Sequence, residues 1–240
     1  MNDVTSATMA GELQDLLALS VPPIALSFAE TEPEAVAPFG ATYPPATADG
    51  RTGAVAASCV FWMHATERAF TTVAADHGNC SVGSYTHGFR PLSEIVGNED
   101  VQALLSAAWV TPEAAGAIPG LPTKPAAIVY APLAEAPLAP DLVMLRINAK
   151  QAMLLSDAWP ELRFEGKPQC HIIPLAMTKG DIAVSTGCML SRVRTGMSNN
   201  ELTCVIPAAK VPALLERLRA ARQADLAVAA YAAEDGRRFS

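Results

Sequence analysis

The chain has 240 residues, of which 17 are basic and 24 are acidic, so its formal net charge is -7. Because nucleic-acid backbones and anionic membrane surfaces attract clusters of Lys and Arg, this balance excludes both as main partners. Half of the residues are hydrophobic, only 17% are charged, and no apolar run reaches the length of a membrane-spanning helix, so a disordered chain and a membrane-spanning one are also excluded.

The N-terminal part of the sequence predicts a helix, a strand, a long loop and a second helix. Helical spacing of Met9, Leu13 and Leu16 predicts an amphipathic helix over residues 6–20, and a short apolar run predicts a strand over residues 24–28. Residues 30–54 are rich in Pro, Gly and Ala without periodicity, which predicts a long loop suited to covering a pocket. Residues 55–72 predict a helix with Cys59 on its apolar face.

The remaining pattern mixes helices and strands without a regular βαβ alternation. Helices are predicted over residues 92–109, 149–159 and 169–178, and strands over residues 124–133, 141–147, 181–185 and 201–206, before a long Ala-rich closing helix over residues 211–233. We therefore expect an α+β fold with a mixed or antiparallel sheet flanked by helices. It forms a single domain over residues 1–240, with a subdivision near residues 110–125 as the alternative. The closing helix also offers a surface for a homo-oligomer.

The five cysteines carry most of the chemical information. The N-terminus lacks the basic and apolar segments of a secretory signal, so we expect a cytoplasmic protein whose thiols stay reduced. The cysteines are separated by 21, 90, 18 and 16 residues, which excludes the local spacing of zinc ribbons and ferredoxins. Cys80 and Cys188 follow closely after a glycine at the predicted start of a turn or helix, where backbone N–H groups lower the pKa of a thiol. Cys204 lies inside a strand pattern and is predicted to be a core residue.

Histidines and basic residues supply further candidates. Three histidines bracket the first two cysteines, which is compatible with a Cys/His nucleophile pair or with a mixed Cys/His metal site. Two arginines follow the fourth cysteine, and a Lys-Gln pair opens a helix directly after a predicted strand, where a ligand contact is common. The candidate catalytic residues are His64, His77, His87 and Arg192, and the candidate substrate-binding residues are Lys150, Gln151 and Arg194.

Several short motifs, in this order and spacing, resemble the ArCR family, a largely uncharacterised domain-of-unknown-function family. The motifs are Pro22-Pro-Ile-Ala-Leu-Ser-Phe28, the Cys59 helix, Asn79-Cys80-Ser-Val-Gly83 with Gly88, Pro140-Asp-Leu-Val-Met144, Gln151-Ala-Met153, Cys170, Ser185-Thr-Gly-Cys188, Arg192, Glu201 and Ile206-Pro207. The resemblance extends over residues 12–219 and implies a shared thiolate site of Cys59, Cys80, Cys170 and Cys188, with Cys204 outside it. The chain departs from the family at Ser84-Tyr-Thr-His87, where a more Gly-rich stretch is expected, so the shape of its pocket should differ.

We therefore expect an iron–sulfur protein, with a cluster of the four-iron four-sulfur type on Cys59, Cys80 and Cys188 and with Cys170 as fourth ligand or nearby thiol. Zinc is the less favoured metal. An iron atom without a cysteine ligand can act as a Lewis acid on a small anionic substrate, as in a lyase, hydrolase or desulfurase. Two alternatives remain open: a metal-free enzyme with Cys80 or Cys188 as nucleophile, and a non-catalytic module that holds a metal or ligand.

Overall fold

A seven-stranded sheet organises the chain in the structure, a computed structural model that describes residues 5–47 and 53–236. The strands lie in the order β2-β3-β1-β4-β7-β6-β5, and all neighbours are antiparallel except β5 and β6. The sheet is therefore mixed, as the sequence predicts. The strands are β1 (Ile24–Ala29), β2 (Phe70–Thr72), β3 (Ala127–Pro132), β4 (Leu142–Ile147), β5 (Arg163–Phe164), β6 (Ala183–Ser185) and β7 (Leu202–Pro207).

Helices connect the strands and cover both faces of the sheet, which confirms the α+β class. They are α1 (Ser6–Leu17), α2 (Phe39–Thr42), α3 (Ser58–His64), α4 (Ser81–Thr86), α5 (Leu92–Ile95), α6 (Glu99–Ser106), α7 (Pro112–Gly116), α8 (Ala149–Ala158), α9 (Ile172–Lys179), α10 (Met189–Thr195) and α11 (Val211–Asp235). The long closing helix predicted from the Ala-rich C-terminal segment is α11. Across the described ranges, none of the helices is both long enough and apolar enough to cross a membrane.

Alternation along the central strands divides the core into two layers. In β7, Cys204 and Ile206 point to one face while Val205 points to the other, and in β4 Val143 and Met144 separate in the same way. Helices α1, α8 and α11 pack on the first face. Helices α3, α4 and α9 pack on the second face. Because both faces are buried, the direction of each strand side chain decides which layer it joins.

Two predicted helices are shorter in the structure than in the sequence pattern. The helix predicted over residues 55–72 ends at His64. The segment Phe70–Thr72, made of an aromatic and two β-branched residues, instead pairs with β3 as a strand. The helix predicted over residues 92–109 is divided into α5 and α6, since Gly97 interrupts it and Asn98 begins a new helix as its N-cap. The loop predicted over residues 30–54 contains the short helix α2.

Lys150 and Gln151, predicted to bind substrate, lie at the start of α8, on the face of the sheet that α1 and α11 cover. The Lys150 ammonium pairs with Asp225 of α11. The buried Gln151 amide donates to the carbonyl oxygens of Leu17 and Ala18, at 3.1 and 2.9 Å, and caps its own helix. Both side chains hold α8 against its neighbours, so their observed contacts are structural.

Replacing Gln151 by Ala should destabilise the fold without changing the cysteine site. The substitution leaves the buried carbonyl of Leu17 and the part-buried carbonyl of Ala18 without their donor, so we expect the free energy of unfolding to fall by about 1–3 kcal/mol. Chemical denaturation checks this, and Lys150→Ala is the matched control because it removes an exposed ion pair on the same turn. Equal stability of the Gln151→Ala variant and the wild type would contradict the structural role.

Candidate functional site

Four of the five cysteines meet in one cavity on the second face of the sheet. Cys59, Cys80, Cys170 and Cys188 come from four separate segments of the chain and all line this cavity. Leu104, Val82 and Leu190 supply its apolar walls. We call this space the cysteine cavity. The rest of its lining, which is mostly polar, consists of Ser58, Trp62, Gly83, Asp100, Pro168, Gln169, Ser191 and Arg194.

Each of these four cysteines lies at or near the beginning of a helical segment. Cys80 and Cys188 are the N-cap residues of α4 and α10, and Cys59 is the second residue of α3. Cys170 lies in the 3-10 turn Gln169–His171 that leads into α9. Helix starts leave backbone N–H groups unpaired, so sulfur atoms at these positions meet donors. Cys188 receives such bonds from Ser191, Leu190 and Gln169, and Cys80 from Gly83.

Burial nevertheless keeps the thiols protonated. Desolvation raises the pKa of Cys80 to about 12 and raises the pKa values of Cys59 and Cys188. The pKa of Cys170 is held well above its usual range by the same cause and by the neighbouring Cys80. The expectation that the turn positions would lower the thiol pKa values is therefore wrong for the protein alone, because desolvation outweighs the backbone donors. A bound cation would reverse this balance, since metal coordination deprotonates thiols.

Cys204 is separated from the other four cysteines by the sheet. It is fully buried in β7 among the side chains of the first face, and desolvation raises its pKa strongly. The prediction that Cys204 is a core residue agrees with this placement.

Oε1 of Gln169, whose side chain is 2% exposed, has no hydrogen-bond partner within the described part of the chain. The buried Nε1 of Trp62 faces the Tyr130 hydroxyl. The other end of the Gln169 amide donates to the Ser191 hydroxyl at 2.8 Å, and that hydroxyl in turn donates to the Cys59 sulfur. Unpaired buried polar groups are costly, so their presence in a cavity indicates a missing partner such as a ligand.

His77 and His87 lie behind the cysteine cavity rather than in it. The Thr72 hydroxyl donates to the Ile128 carbonyl at 3.2 Å, so the Nε2–H of His77 donates to Thr72 and the Ser58 hydroxyl donates to His77 Nδ1, each at 3.0 Å. Nδ1 of His87 lies 2.7 Å from the Gly83 carbonyl oxygen and donates to it. Burial lowers the pKa of both rings, that of His87 to about 4, so both are neutral at pH 7.

His64 and Arg192 also stand away from the cysteine cavity. The His64 ring packs on Tyr43 with the ring centroids 4.0 Å apart. The Arg192 guanidinium donates to the backbone carbonyls of Thr186, Ser198 and Glu201. It therefore ties the segment before α10 to the segment after it, and its contacts are those of a structural residue.

Arg194 is the basic residue that reaches the cysteine cavity. It lies on α10 two residues after Arg192, in its lining and close enough to favour the thiolate forms of Cys59, Cys80 and Cys188. Among the described residues it forms no ion pair, in contrast to Arg146, which pairs with Glu201. The predicted role of Arg194 in binding an anion stays compatible with its position.

Sequence reasoning missed four polar residues of the lining: Ser58, Asp100, Gln169 and Ser191. The Asp100 carboxylate accepts from the backbone N–H of Ser81 at 2.9 Å and so fixes the start of α4. Ser58 and Gln169 directly precede Cys59 and Cys170 in the sequence, and this adjacency could have indicated that they line the same site. Asp100 and Ser191 have no comparable signal.

The four cysteines do not form a compact single-ion site. Within residues 5–47 and 53–236, no three His, Cys, Asp or Glu side chains are grouped closely enough to hold one metal ion. The free space at the centre of the cysteine cavity is about 30 Å³, which is room for about one water molecule. A larger group therefore needs a rearrangement of the lining.

Comparison with known proteins gives a family and no described relative. The family model of the uncharacterised ArCR proteins, domain of unknown function 169, matches residues 12–217. No curated protein and no solved structure matches the chain.

Gly83 should not tolerate a side chain. An added Cβ would lie 2.5 Å from the Ser58 hydroxyl oxygen and 3.3 Å from the Cys80 sulfur. We expect Gly83→Ala to lower the free energy of unfolding by about 1–3 kcal/mol. Gly11→Ala, in an open part of α1, is the control and should raise stability by about 0.5–1 kcal/mol. Denaturation curves of both variants check the contrast, and an unchanged Gly83→Ala variant would refute the close packing.

The buried His87 should make the fold sensitive to acid. Its pKa is about 4 in the folded protein and 6.5 in the unfolded chain. Between these two pH values the imidazole is protonated in the unfolded chain and neutral in the folded protein. Stability from this group is complete above pH 6.5 and falls by about 3 kcal/mol as the pH approaches 4. His87→Asn keeps a donor for the Gly83 carbonyl but does not titrate, so the stability difference between wild type and variant should shrink on acidification. Parallel pH profiles would contradict the assignment.

Proposed function

The chain belongs to the uncharacterised ArCR family, and we propose that it is an iron–sulfur protein whose cluster is held by Cys59, Cys80, Cys170 and Cys188. The observation that carries the proposal is the meeting of these four thiols, from four separate segments, in one cavity. Thiolate sulfur is the protein ligand of iron–sulfur clusters. Cys204, on the other side of the sheet, is not part of the proposed ligand set.

The surroundings of the thiols fit a bound cluster in two respects. Backbone N–H groups donate to Cys80 and Cys188, and such donors stabilise cluster-bound sulfur. The glycine at position 83 leaves the Cys80 sulfur accessible where a Cβ would crowd it.

A cluster suits the spacing of the cysteines better than a single zinc ion. In a cluster each cysteine binds a different iron atom, so the sulfur atoms stand farther apart than the ligands of one ion. This agrees with the lack of a compact three-ligand group among the described residues. Because the centre of the cavity has room for about one water molecule, loading requires a rearrangement of the lining. The four-iron four-sulfur type remains the expected cluster, with zinc as the less favoured metal.

We further propose that the protein catalyses a reaction of a small anionic substrate. A cluster iron without a cysteine ligand supplies Lewis-acid chemistry, as in lyases, hydrolases or desulfurases. Arg194 supports an anion because its cationic side chain reaches the cavity and forms no ion pair among the described residues. We retain the cytoplasm as the expected compartment, since all five cysteines are free thiols.

The metal-free nucleophile hypothesis has weaker support. A cysteine nucleophile needs a base within hydrogen-bond reach, whereas the described cavity lining contains no histidine and burial raises the pKa values of Cys80 and Cys188. A non-catalytic module that stores or delivers a metal would share the cysteine cavity, so turnover separates it from the enzyme.

Iron and acid-labile sulfide analysis of anaerobically purified or reconstituted protein tests the proposal. We expect about four iron and four sulfide per chain and a broad absorbance near ~400 nm. Cys59→Ala, Cys80→Ala and Cys188→Ala should each lose most of the iron, and Cys170→Ala reports whether the fourth thiol is a ligand.

Cys204→Ala is the matched control, because this cysteine is a buried free thiol that lies on the first face of the sheet. It should keep the iron and sulfide content of the wild type. A wild-type protein that takes up neither iron nor sulfide under reconstitution would sink the proposal. A variant set in which Cys204→Ala loses as much iron as Cys80→Ala would do the same.

A further inference from the structure

A second and larger opening adjoins the cysteine cavity and shares Arg194 with it. This opening, which we call the side cleft, has a volume of about 620 Å³, within the usual range of small-molecule sites. Helix α2 and the chain after it form one wall, and residues 54–60, which lead into α3, form another. The loop predicted to cover a pocket therefore supplies part of this wall.

The side cleft has an apolar side and a polar side. Tyr43 and Val55 contribute accessible surface to the apolar side, and the Tyr43 ring packs on the buried Phe39 with ring centroids 5.4 Å apart. Asp76, Asn79 and Arg194 contribute the polar side chains. A site with an aromatic wall and a few polar groups suits a small molecule that has an apolar body and one polar end.

Among the polar side chains, Arg194 keeps its bonding capacity for a ligand. The Asp76 carboxylate accepts from the backbone N–H of Val73 at 2.8 Å, and the Asn79 amide donates to the Ala56 carbonyl at 3.1 Å. Arg194 is exposed and has no ion pair among the described residues. A guanidinium pairs with a carboxylate through two parallel N–H···O bonds, which gives direction as well as charge.

The charges of the cleft favour a single negative charge over a multiple one. Asp76 faces the same opening as Arg194, so a phosphate dianion would meet a carboxylate as well as the guanidinium. A monocarboxylate needs one cation and leaves the rest of the molecule free to contact the apolar wall.

We propose that the side cleft binds a small aryl or alkyl monocarboxylate, with its carboxylate on Arg194 and its apolar body against Tyr43 and Val55. Arg194 borders both spaces, so this orientation brings the carboxylate end to the boundary of the cysteine cavity. As the substrate class of the enzyme, the inference rests on the proposed function, whereas binding itself is measurable with or without a cluster.

Calorimetric titration of the full chain with phenylacetate, phenylacetamide and acetate tests the inference. Phenylacetate combines the aromatic body with the carboxylate, phenylacetamide keeps the body without the charge, and acetate keeps the charge without the body. We expect phenylacetate to bind at least about tenfold more tightly than either of the other two probes.

Arg194→Gln should weaken phenylacetate binding by about 10- to 100-fold and leave phenylacetamide binding unchanged, because it removes a charge-assisted contact. Arg219→Gln is the control, since Arg219 is exposed on α11 and pairs with Glu12 on the opposite face of the sheet. Because Arg194 is exposed, we expect the variant to fold like the wild type, and thermal unfolding checks this.

Three results would overturn the inference: no binding of phenylacetate, equal binding of phenylacetamide and phenylacetate, or undiminished phenylacetate binding by Arg194→Gln. Iron content measured on the same preparations separates the two proposals. Iron without Arg194-dependent binding refutes the side cleft alone, and Arg194-dependent binding by a chain that cannot hold iron refutes the cluster alone.

Discussion

The burial of the sheet on both faces is the constraint on which the rest of the structure depends. Strands β4 and β7 alternate between two apolar layers, so each needs a helical cover on either side. One cover is built from long helices, α8 and α11, that pack along the sheet. The other is built from short segments, and their many ends create the space in which a site can form. Structure and function thus divide between the two faces.

The short segments bring four cysteines together because the cysteines stand where these segments begin. The first residues of a helical segment leave backbone N–H groups unpaired, and the sulfur atoms accept hydrogen bonds from some of them. The cost is desolvation, which raises the thiol pKa values above their usual range. Thiols that only fill space would need no such donors. A bound metal would offset the desolvation cost, because coordination deprotonates thiols, and the backbone donors would then stabilise the coordinated sulfur.

The α+β class, most strands and the separation of Cys204 from the other cysteines were predictable, because they follow from periodicity and strand alternation. Adjacency in the sequence was a poor guide where tertiary packing determines which face of the sheet a side chain joins. Gln151 follows a strand, but the direction of the helix places it on the other face of the sheet. Arg192 and Arg194 are two positions apart on one helix and point in different directions, so one ties a loop and the other reaches the cavity. Asp100 joins the lining through tertiary packing alone.

Electrostatics link the two spaces around Arg194. The histidines behind the cavity are neutral at pH 7, and the charged side chains of its described lining are Asp100 and Arg194. Asp100 is engaged by the backbone N–H of Ser81. Four thiolates would make the cavity strongly negative, and Arg194 is the lining cation that opposes this charge. An anion in the side cleft would draw on the same guanidinium, so the charge of the proposed cluster and the affinity for a carboxylate should be coupled through one residue.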